Sequence, residues 1–594
     1  MSQDVRKPGA DLVTMEILLN GSAMPDSYGV TAIRVSRALG RLPMAEITLA
    51  DGSPSEEDFP ASASGHFVPG QQVEIRLGYD AKNTAVFKGI ILRQSLSIGA
   101  GGESNLVVGC GDKAAGLTVA RRSRIFTGTS DSAALSKVIR EAGLTADVAA
   151  TSGEAEHLVQ TDCTDWDFLL ARAEVNAMVV DVAAGKVTVA RPDFASPELS
   201  VGFGTSLDQM DLELDALNQL SGASAQSWDA KTQELVTATG RAPAVNAQGN
   251  LGSAALSKVL NVSGFALRSI DPLEQEQLSG WAAAQLLKSE LARISGMVSF
   301  PGNAAVVPGK TLELKGLGTR FNGAGYVTGI SHHMADGRWT TEAHFGLDRQ
   351  WFTDSHRDAT QPAAAARQPG TGGLQIAKVM QVYDDPAGGG RIKVSIPLQG
   401  SDDGIWVRLA SPYAGSSMGI TFLPEVGDEV IVGFLGNDPN APVVLGALHS
   451  AKRPMPFTPE EQNNVKSIVT RSSLTMGFDD DKKVITVTTP GGHSITLSDE
   501  AKEVALKDSN GNAITMGESG ISITTPKDLS LSATGKLSIS GDAGISAKSP
   551  AQVTAEGGSI SLTAETELSA EGGVSASVSG GGELTLSATM IMIN

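Results

Sequence analysis

Beyond Phe478 the chain contains no Phe, Trp or Tyr, yet it keeps alternating apolar and polar residues as far as Asn594. Leu529, Leu537, Ile545 and Val553 recur every eight residues, and each is followed two positions on by Leu531, Ile539, Ala547 or Ala555. Looser copies precede them at Ile485/Val487, Ile495/Leu497, Val504/Leu506, Ile514/Met516 and Ile521/Ile523, and follow at Ile560/Leu562, Leu568/Ala570, Val574/Ala576 and Leu584/Leu586. Residues two apart on a strand share a face, so each pair predicts a short strand with two apolar side chains inward and a Ser or Thr between them outward. A stripe this thin, without aromatics, cannot build a core alone. Three copies wound about one axis cover each other's stripes and leave no free strand edges. The sequence therefore predicts a trimeric β-helix or β-prism needle over residues 479–594, with Leu529, Leu531, Leu537, Ile539, Ile545 and Val553 in its core. A disordered Gly/Ser-rich tail gives no reason for Leu and Ile to keep to a grid.

The needle sequence ends Thr589-Met590-Ile591-Met592-Ile593-Asn594, larger and more apolar than the preceding repeats. Three such ends meeting on an axis make a blunt apolar platform, the kind of patch that marks an interaction site, and Met side chains adapt to a partner's surface. Met590, Ile591, Met592 and Ile593 are the candidate partner-binding residues. The bland alternative is that they only plug the end of the core.

At 594 residues the chain exceeds what one hydrophobic core supports and should divide into three or more units. Residues 1–356 are mixed from about Asp11 to Phe352. Strand-like runs such as Val73–Leu77 and Val86–Ile91 alternate with helical signals at Ser132–Ala142, Asp165–Asn176 and Leu273–Ile294, the last with Ala284, Leu287, Leu291 and Ile294 at amphipathic spacing. This predicts an α+β hub of β-barrel-like subdomains in a chain that is mainly β. Residues 357–373, rich in Pro, Gly and Ala, read as a linker. Within 374–450, strand segments at Ile376–Val382, Arg391–Ile396, Trp406–Ala410, Ile420–Leu423, Glu429–Leu435 and Val443–Leu448 fit a small barrel of the OB type. Residues 451–478 remain as a connector before the needle.

A formal net charge of -20 repels phosphate backbones and anionic headgroups, which argues against nucleic acid as a partner. Apolar runs fall short of the roughly 20 residues a membrane helix needs. The N-terminus Met1-Ser2-Gln3-Asp4-Val5-Arg6-Lys7 has no apolar core of a secretory signal, so synthesis in the cytoplasm and another export route are expected. Cys110 and Cys163 are the two cysteines, and neither sits in a metal or redox motif. His332-His333 and His344 form the one local histidine group. Adjacent strand residues face opposite ways, so the pair cannot converge on one ion and reads as strand surface. Gly316, Gly318, Gly323 and Gly325 lack the Walker lysine and the strand-loop-helix setting of a nucleotide loop, and predict a hairpin turn. No catalytic residue, metal or cofactor emerges.

Ala410-Ser411-Pro412-Tyr413-Ala414-Gly415, Gly419-Ile420, the run Pro424–Phe434 and Asn437-Asp438-Pro439-Asn440-Ala441-Pro442-Val443 together resemble the OB-domain signature of the VgrG family of type VI secretion, and of related spikes of phage tails and extracellular contractile injection systems. The segment Thr164–Glu174 is similar to the family's hub helix, and the octad tail to its needle. The resemblance implies a structural, non-enzymatic homotrimer. Its hub would meet a hexameric inner tube protein and baseplate proteins, its tip would carry a PAAR-repeat cone protein, and it would deliver effector cargo when the machine fires. The alternative is a trimeric tail-associated cell-wall hydrolase or a receptor-binding fiber. Such an enzyme would sit between barrel and needle or after the needle, where this sequence has only short segments.

Overall fold

The computed structural model describes residues 2–6, 12–245, 248–262, 264–359, 362–400 and 403–593. Met1, Lys7, Asp11 and Asn594, named above, and Thr360 and Gln361 of the predicted linker lie outside the described residues. The chain divides into residues 1–448 and 449–594, each described by itself.

Period-two alternation organises the first unit. Val13–Leu19, Gln72–Tyr79, Lys82–Ile98, Ser104–Gly111, Met44–Ala50, Gly29–Ala38 and Gly323–Ala335 lie side by side in that order as antiparallel neighbours within a 14-stranded sheet. Their inward residues, among them Ile33, Ile47, Leu49, Ile75, Leu77 and Leu106, form a fully buried core with Phe67. Cys110 belongs to this core, where burial pushes its thiol up to about 12, so it stays protonated and inert. Both cysteines are free.

A second core forms where the helices Asp131–Glu141 and Asp165–Val175 pack with the strands Thr145–Val148, Val179–Ala183 and Lys186–Ala190. Thr164 caps the second helix by accepting from the Asp167 N–H, and Asp165 and Asp167 place negative charge in its first turn. Trp166, Phe168, Leu169 and Leu170 of the predicted hub helix are buried here. The helix Gln275–Leu291 opens with a capping box between Glu274 and Gln277 and covers the sheet Ala223–Asp229, Glu234–Thr239, Phe265–Ser269. It stops short of the Ile294 that amphipathic spacing suggests. Ile294 instead opens the strand Ile294–Pro301 and is buried there. The Arg293 guanidinium, held by the Glu290 carboxylate and by the Gln248 and Leu251 carbonyls, fixes the chain where it turns.

The four glycines fall as the sequence suggests. Gly316 and Gly318 lie in the connection between Thr311–Lys315 and Gly323–Ala335, whose antiparallel pairing takes in Gly323 and Gly325. The histidines depart from expectation in one respect. His332 and His333 do face opposite ways, but His332 points inward, 2% exposed, with Nδ1 2.9 Å from Thr341 Oγ1 and its ring against Trp339. The neighbouring strand covers it, a non-local packing that spacing does not reveal. Burial holds the His332 pKa down at about 4 from an ordinary 6.5. The unfolded chain therefore takes up a proton between those values that the folded chain does not. Stability contributed by neutral His332 is complete above pH 6.5 and is lost as pH falls toward 4, by about 2 kcal/mol at pH 5. Chemical denaturation at pH 7 and pH 5 checks this: His332→Gln should show a pH dependence smaller by about that amount.

Leu374–Gln381, Ile392–Ser395, Ile405–Leu409, Pro442–Ala447 and Glu429–Phe434 close into a five-stranded barrel around Val379, Ile392, Val394, Val407, Val430, Val432 and Val444. Ile420–Leu423, predicted as a sixth strand, is not one. A two-rung hairpin, Ala414–Gly415 with Met418–Gly419, precedes it, and the barrel closes without it through the pairing of Ile405–Leu409 with Pro442–Ala447. The predicted linker is tied to the barrel: Gln368 Nε2 donates to Asp438 Oδ1 at 2.8 Å and the Thr371 N–H to the Asn437 carbonyl at 2.8 Å.

Candidate functional site in the C-terminal needle

The second unit begins its regular structure with seven antiparallel strands in chain order: Val465–Val469, Thr475–Asp479, Val484–Thr488, Ser494–Ser498, Glu503–Lys507, Ala513–Gly517 and Gly520–Thr524. This segment is called the collar below. Its first two strands fall in 451–478, predicted as connector, where Pro454, Pro456 and Pro459 set a loop character that obscures the alternation after them.

Local turn chemistry fixes the collar's register. At Asp508-Ser509-Asn510-Gly511-Asn512 the Asp508 carboxylate accepts from the Asn510 and Asn512 N–H groups, both at 2.9 Å, and from the Asn512 side chain. The Asn512 side chain first, with the other donors, holds the Asp508 pKa down to about 2. With that register, Ile485 faces Leu497, Val487 faces Ile495, Ile495 faces Leu506, Leu497 faces Val504, Leu506 faces Ile514, and Ile514 faces Ile523. The apolar pairs read from the sequence between Ile485 and Ile523 therefore lie on one face of one sheet. That face is uncovered in the single chain, with Leu497 44% and Met516 43% exposed.

From 525 to 593 the chain forms no strand, and every residue from 526 on is exposed. This stretch is called the shaft. Leu529, Leu531, Leu537, Ile539, Ile545 and Val553 are each more than half exposed, and no contact within the chain gathers all six. Leu529 does line a depression of about 330 Å³ with Leu506, Ile514 and Ile523, so the collar's apolar face runs on into the first octad. At the end, Met590 is 75%, Ile591 50%, Met592 80% and Ile593 86% exposed. Sequence reasoning singles out the pairs from Ile485 onward but misses Met476 and Phe478, which extend the same face by pairing with Val487 and Ile485. Their alternation around Gly477 is the signal that could have found them.

Elsewhere, His333 pairs across the strands with Thr340 and His344 with Gly329, and among the described residues no group of three or more His, Cys, Asp or Glu could hold a metal ion. No helix among them is long and apolar enough to cross a membrane. A groove in the first unit, lined by Leu39, Trp166, Leu170, Met178, Leu287 and Phe352, also holds the Lys288–Glu174 ion pair at 2.7 Å, which ties one helix to the other and leaves neither charge unpaired.

Comparison with known proteins bears on the barrel and the first unit. Residues 375–449 match the type VI secretion system/phage-baseplate injector OB domain. The chain is 30% identical over 131 residues to the type VI secretion system spike protein VgrG3 of Vibrio cholerae, covering 20% of this chain and 13% of that protein. It is 29% identical over 119 residues to the spike protein VgrG1b of Pseudomonas aeruginosa, covering 19% and 16%. These matches span less than a fifth of the relatives' length. Among solved structures, a 43 kDa prophage tail protein from Shewanella oneidensis aligns with 56% of this chain and 98% of its own at 12% identity and a TM-score of 0.42. A chain of a Francisella PdpA-VgrG complex aligns with 84% of this chain and 80% of its own at 9% identity and a TM-score of 0.38. Residues 9–336, more than half of the chain, match the Alg8 N-terminal domain, and the protein therefore belongs to that family, with an injector-type OB domain following.

Proposed function

We propose that this protein is the homotrimeric central spike of a contractile injection system, joining an inner tube and baseplate to a membrane-puncturing tip and helping to deliver effectors. The observation that carries the reading is the uncovered apolar face of the collar running on into the shaft's octads, downstream of an injector-type OB barrel. A face of this kind is stable in water only against equivalent faces, and closed rotational symmetry supplies them without leaving edges. The protein acts mechanically: a stiff needle transmits force along its axis, and its residues carry out no chemistry. Residues 1–356 serve as the hub that meets a hexameric tube and baseplate proteins, being the part wide and varied enough to match a ring of subunits. Met590, Ile591, Met592 and Ile593 hold a PAAR-repeat tip protein. The spike is made in the cytoplasm, assembled into the particle and exported on firing, with effector cargo travelling on it.

Sedimentation of the full chain tests the oligomer: three copies are expected, and a folded monomer overturns the reading. A chain beginning at Gly373 should lose co-assembly with the tube protein while the full chain retains it. Retention by the truncated chain would move the tube contact out of residues 1–356.

A further inference from the structure

We infer that the segment 347–356, by which the chain leaves the hub for the barrel, is a strap that docks and releases as one piece, latched by the Glu174 carboxylate. This goes beyond the spike reading and takes from it only the naming of the hub; every contact involved lies within one chain.

Adjacent residues of the strap enter two different cores. Trp351 packs with the helix Gln275–Leu291 and its sheet, where its indole Nε1 donates to Gln285 Oε1 at 2.9 Å and its ring centroid lies 6.5 Å from that of Trp281. Phe352 packs instead with the core of the helices Asp131–Glu141 and Asp165–Val175. Glu174, in the last turn of Asp165–Val175, joins these anchors. Its Oε2 accepts from the Phe352 N–H at 2.7 Å, and its Oε1 accepts from Lys288 Nζ at 2.7 Å. The same ammonium lies 5.4 Å from the Trp351 ring centroid. One carboxylate therefore holds the strap directly through Phe352 and indirectly through the cation beside Trp351.

These contacts depend on one another. The Lys288 side chain is 9% exposed, and an ammonium so buried is stable only with its partners in place. Removing Glu174 leaves it unpaired and takes the acceptor from the Phe352 N–H; lifting Trp351 strips the cation of its aromatic cover. Neighbours in sequence cannot part by more than one peptide step, so neither anchor leaves alone. Little else holds the strap. The helix Phe352–Ser355 is a single turn, too short to persist undocked, and residues 353–356 are exposed. The strap also forms one wall of the groove of about 380 Å³ shared with Trp166, Leu170, Met178 and Leu287, so its release widens an existing groove instead of emptying a close-packed site. Undocked, its ten residues would add about 30 Å of reach to the connection 357–373. The latch thus sets how tightly the barrel is tethered to the hub.

Hydrogen exchange read by mass spectrometry on the full chain tests the latch. In Glu174→Gln, which keeps an oxygen acceptor but carries no charge to balance Lys288, the amides of residues 352–356 should exchange at least about tenfold faster, while the strands Gly29–Ala38 and Met44–Ala50 keep their protection. Trp351→Leu should do the same. Combining the two should exceed the faster single variant by less than about twofold, because coupled anchors are lost together, whereas independent anchors would multiply. Thr353→Ala, at an exposed strap position, should change nothing. Glu174→Leu with Lys288→Met removes both charges at once. The helix Gln275–Leu291 should then regain whatever protection Glu174→Gln costs it, while the strap stays fast for want of its acceptor. Multiplying effects, a strap protected again in that double variant, or an equal loss of protection across the whole hub in Glu174→Gln would each overturn the latch. A monomeric full chain would overturn the spike reading and leave these outcomes as they stand.

Discussion

Leu537→Asp should lower the melting temperature of the needle by about 10 °C, whereas Ser538→Asp, one residue on, should change it by no more than about 2 °C. The difference follows from strand alternation alone: Leu537 and Ile539 share a face, and Ser538 takes the other. In a threefold needle an inward position brings three side chains to the axis. Three carboxylates there are desolvated and mutually repulsive, at a cost on the order of several kcal/mol per ion. At Ser538 the same charges point to water and lie far apart. The comparison also carries an internal control in pH. A carboxylate forced into that environment has its pKa raised, so acidification toward pH 4 should restore part of the stability of Leu537→Asp and do nothing comparable for Ser538→Asp. Equal melting temperatures for the two variants would contradict the register of the octads.

The local features were the most legible. The helices expected at Asp165–Asn176 and Leu273–Ile294 begin at Asp165 and Gln275, where Thr164 with Asp167 and Glu274 with Gln277 cap them through residues three apart. The apolar pairs of the collar were legible for the same reason: a meander pairs neighbours in the chain, so side-chain alternation and turn residues such as Asp508 to Asn512 suffice to set it. What escaped was fixed by distant partners. The burial of His332 depends on Thr341 and Trp339 of the adjoining strand and on a sheet that brings Gly323–Ala335 beside Gly29–Ala38. The barrel closes by pairing Ile405–Leu409 with Pro442–Ala447, strands far apart in the chain, and leaves Ile420–Leu423 out of it. Ile294 carries an apolar side chain at a spacing that suits the helix before it, and only the anchoring of Arg293 decides that the helix has ended. For the shaft, alternation shows which side chains share a face, and in the proposed trimer the cover for that face comes from the other copies.

Deleting Met590–Asn594 should leave the trimer folded and abolish co-purification of the tip protein, and puncturing with it. The deletion removes no octad pair, since the regular pairs end at Leu584 and Leu586, so the stripe proposed to join three chains is untouched. It removes four large apolar side chains that are at least half exposed in the chain. On a strand, alternation sends Met590 and Met592 one way and Ile591 and Ile593 the other. If one pair turns inward to close the core, the other still rings the end, and three copies present a small apolar triangle of the kind that a partner's flat base can cover. A partner with matching threefold symmetry would gain the burial of all three copies at once, which a single short strand end could not provide. Co-purification with the tip protein, together with sedimentation of the shortened spike, separates docking from plugging. A docking platform predicts a trimer that no longer retains the tip protein. Unchanged affinity for the tip protein would make Met590–Ile593 a plug, and a trimer that falls apart on deletion would make them part of the core that holds the chains.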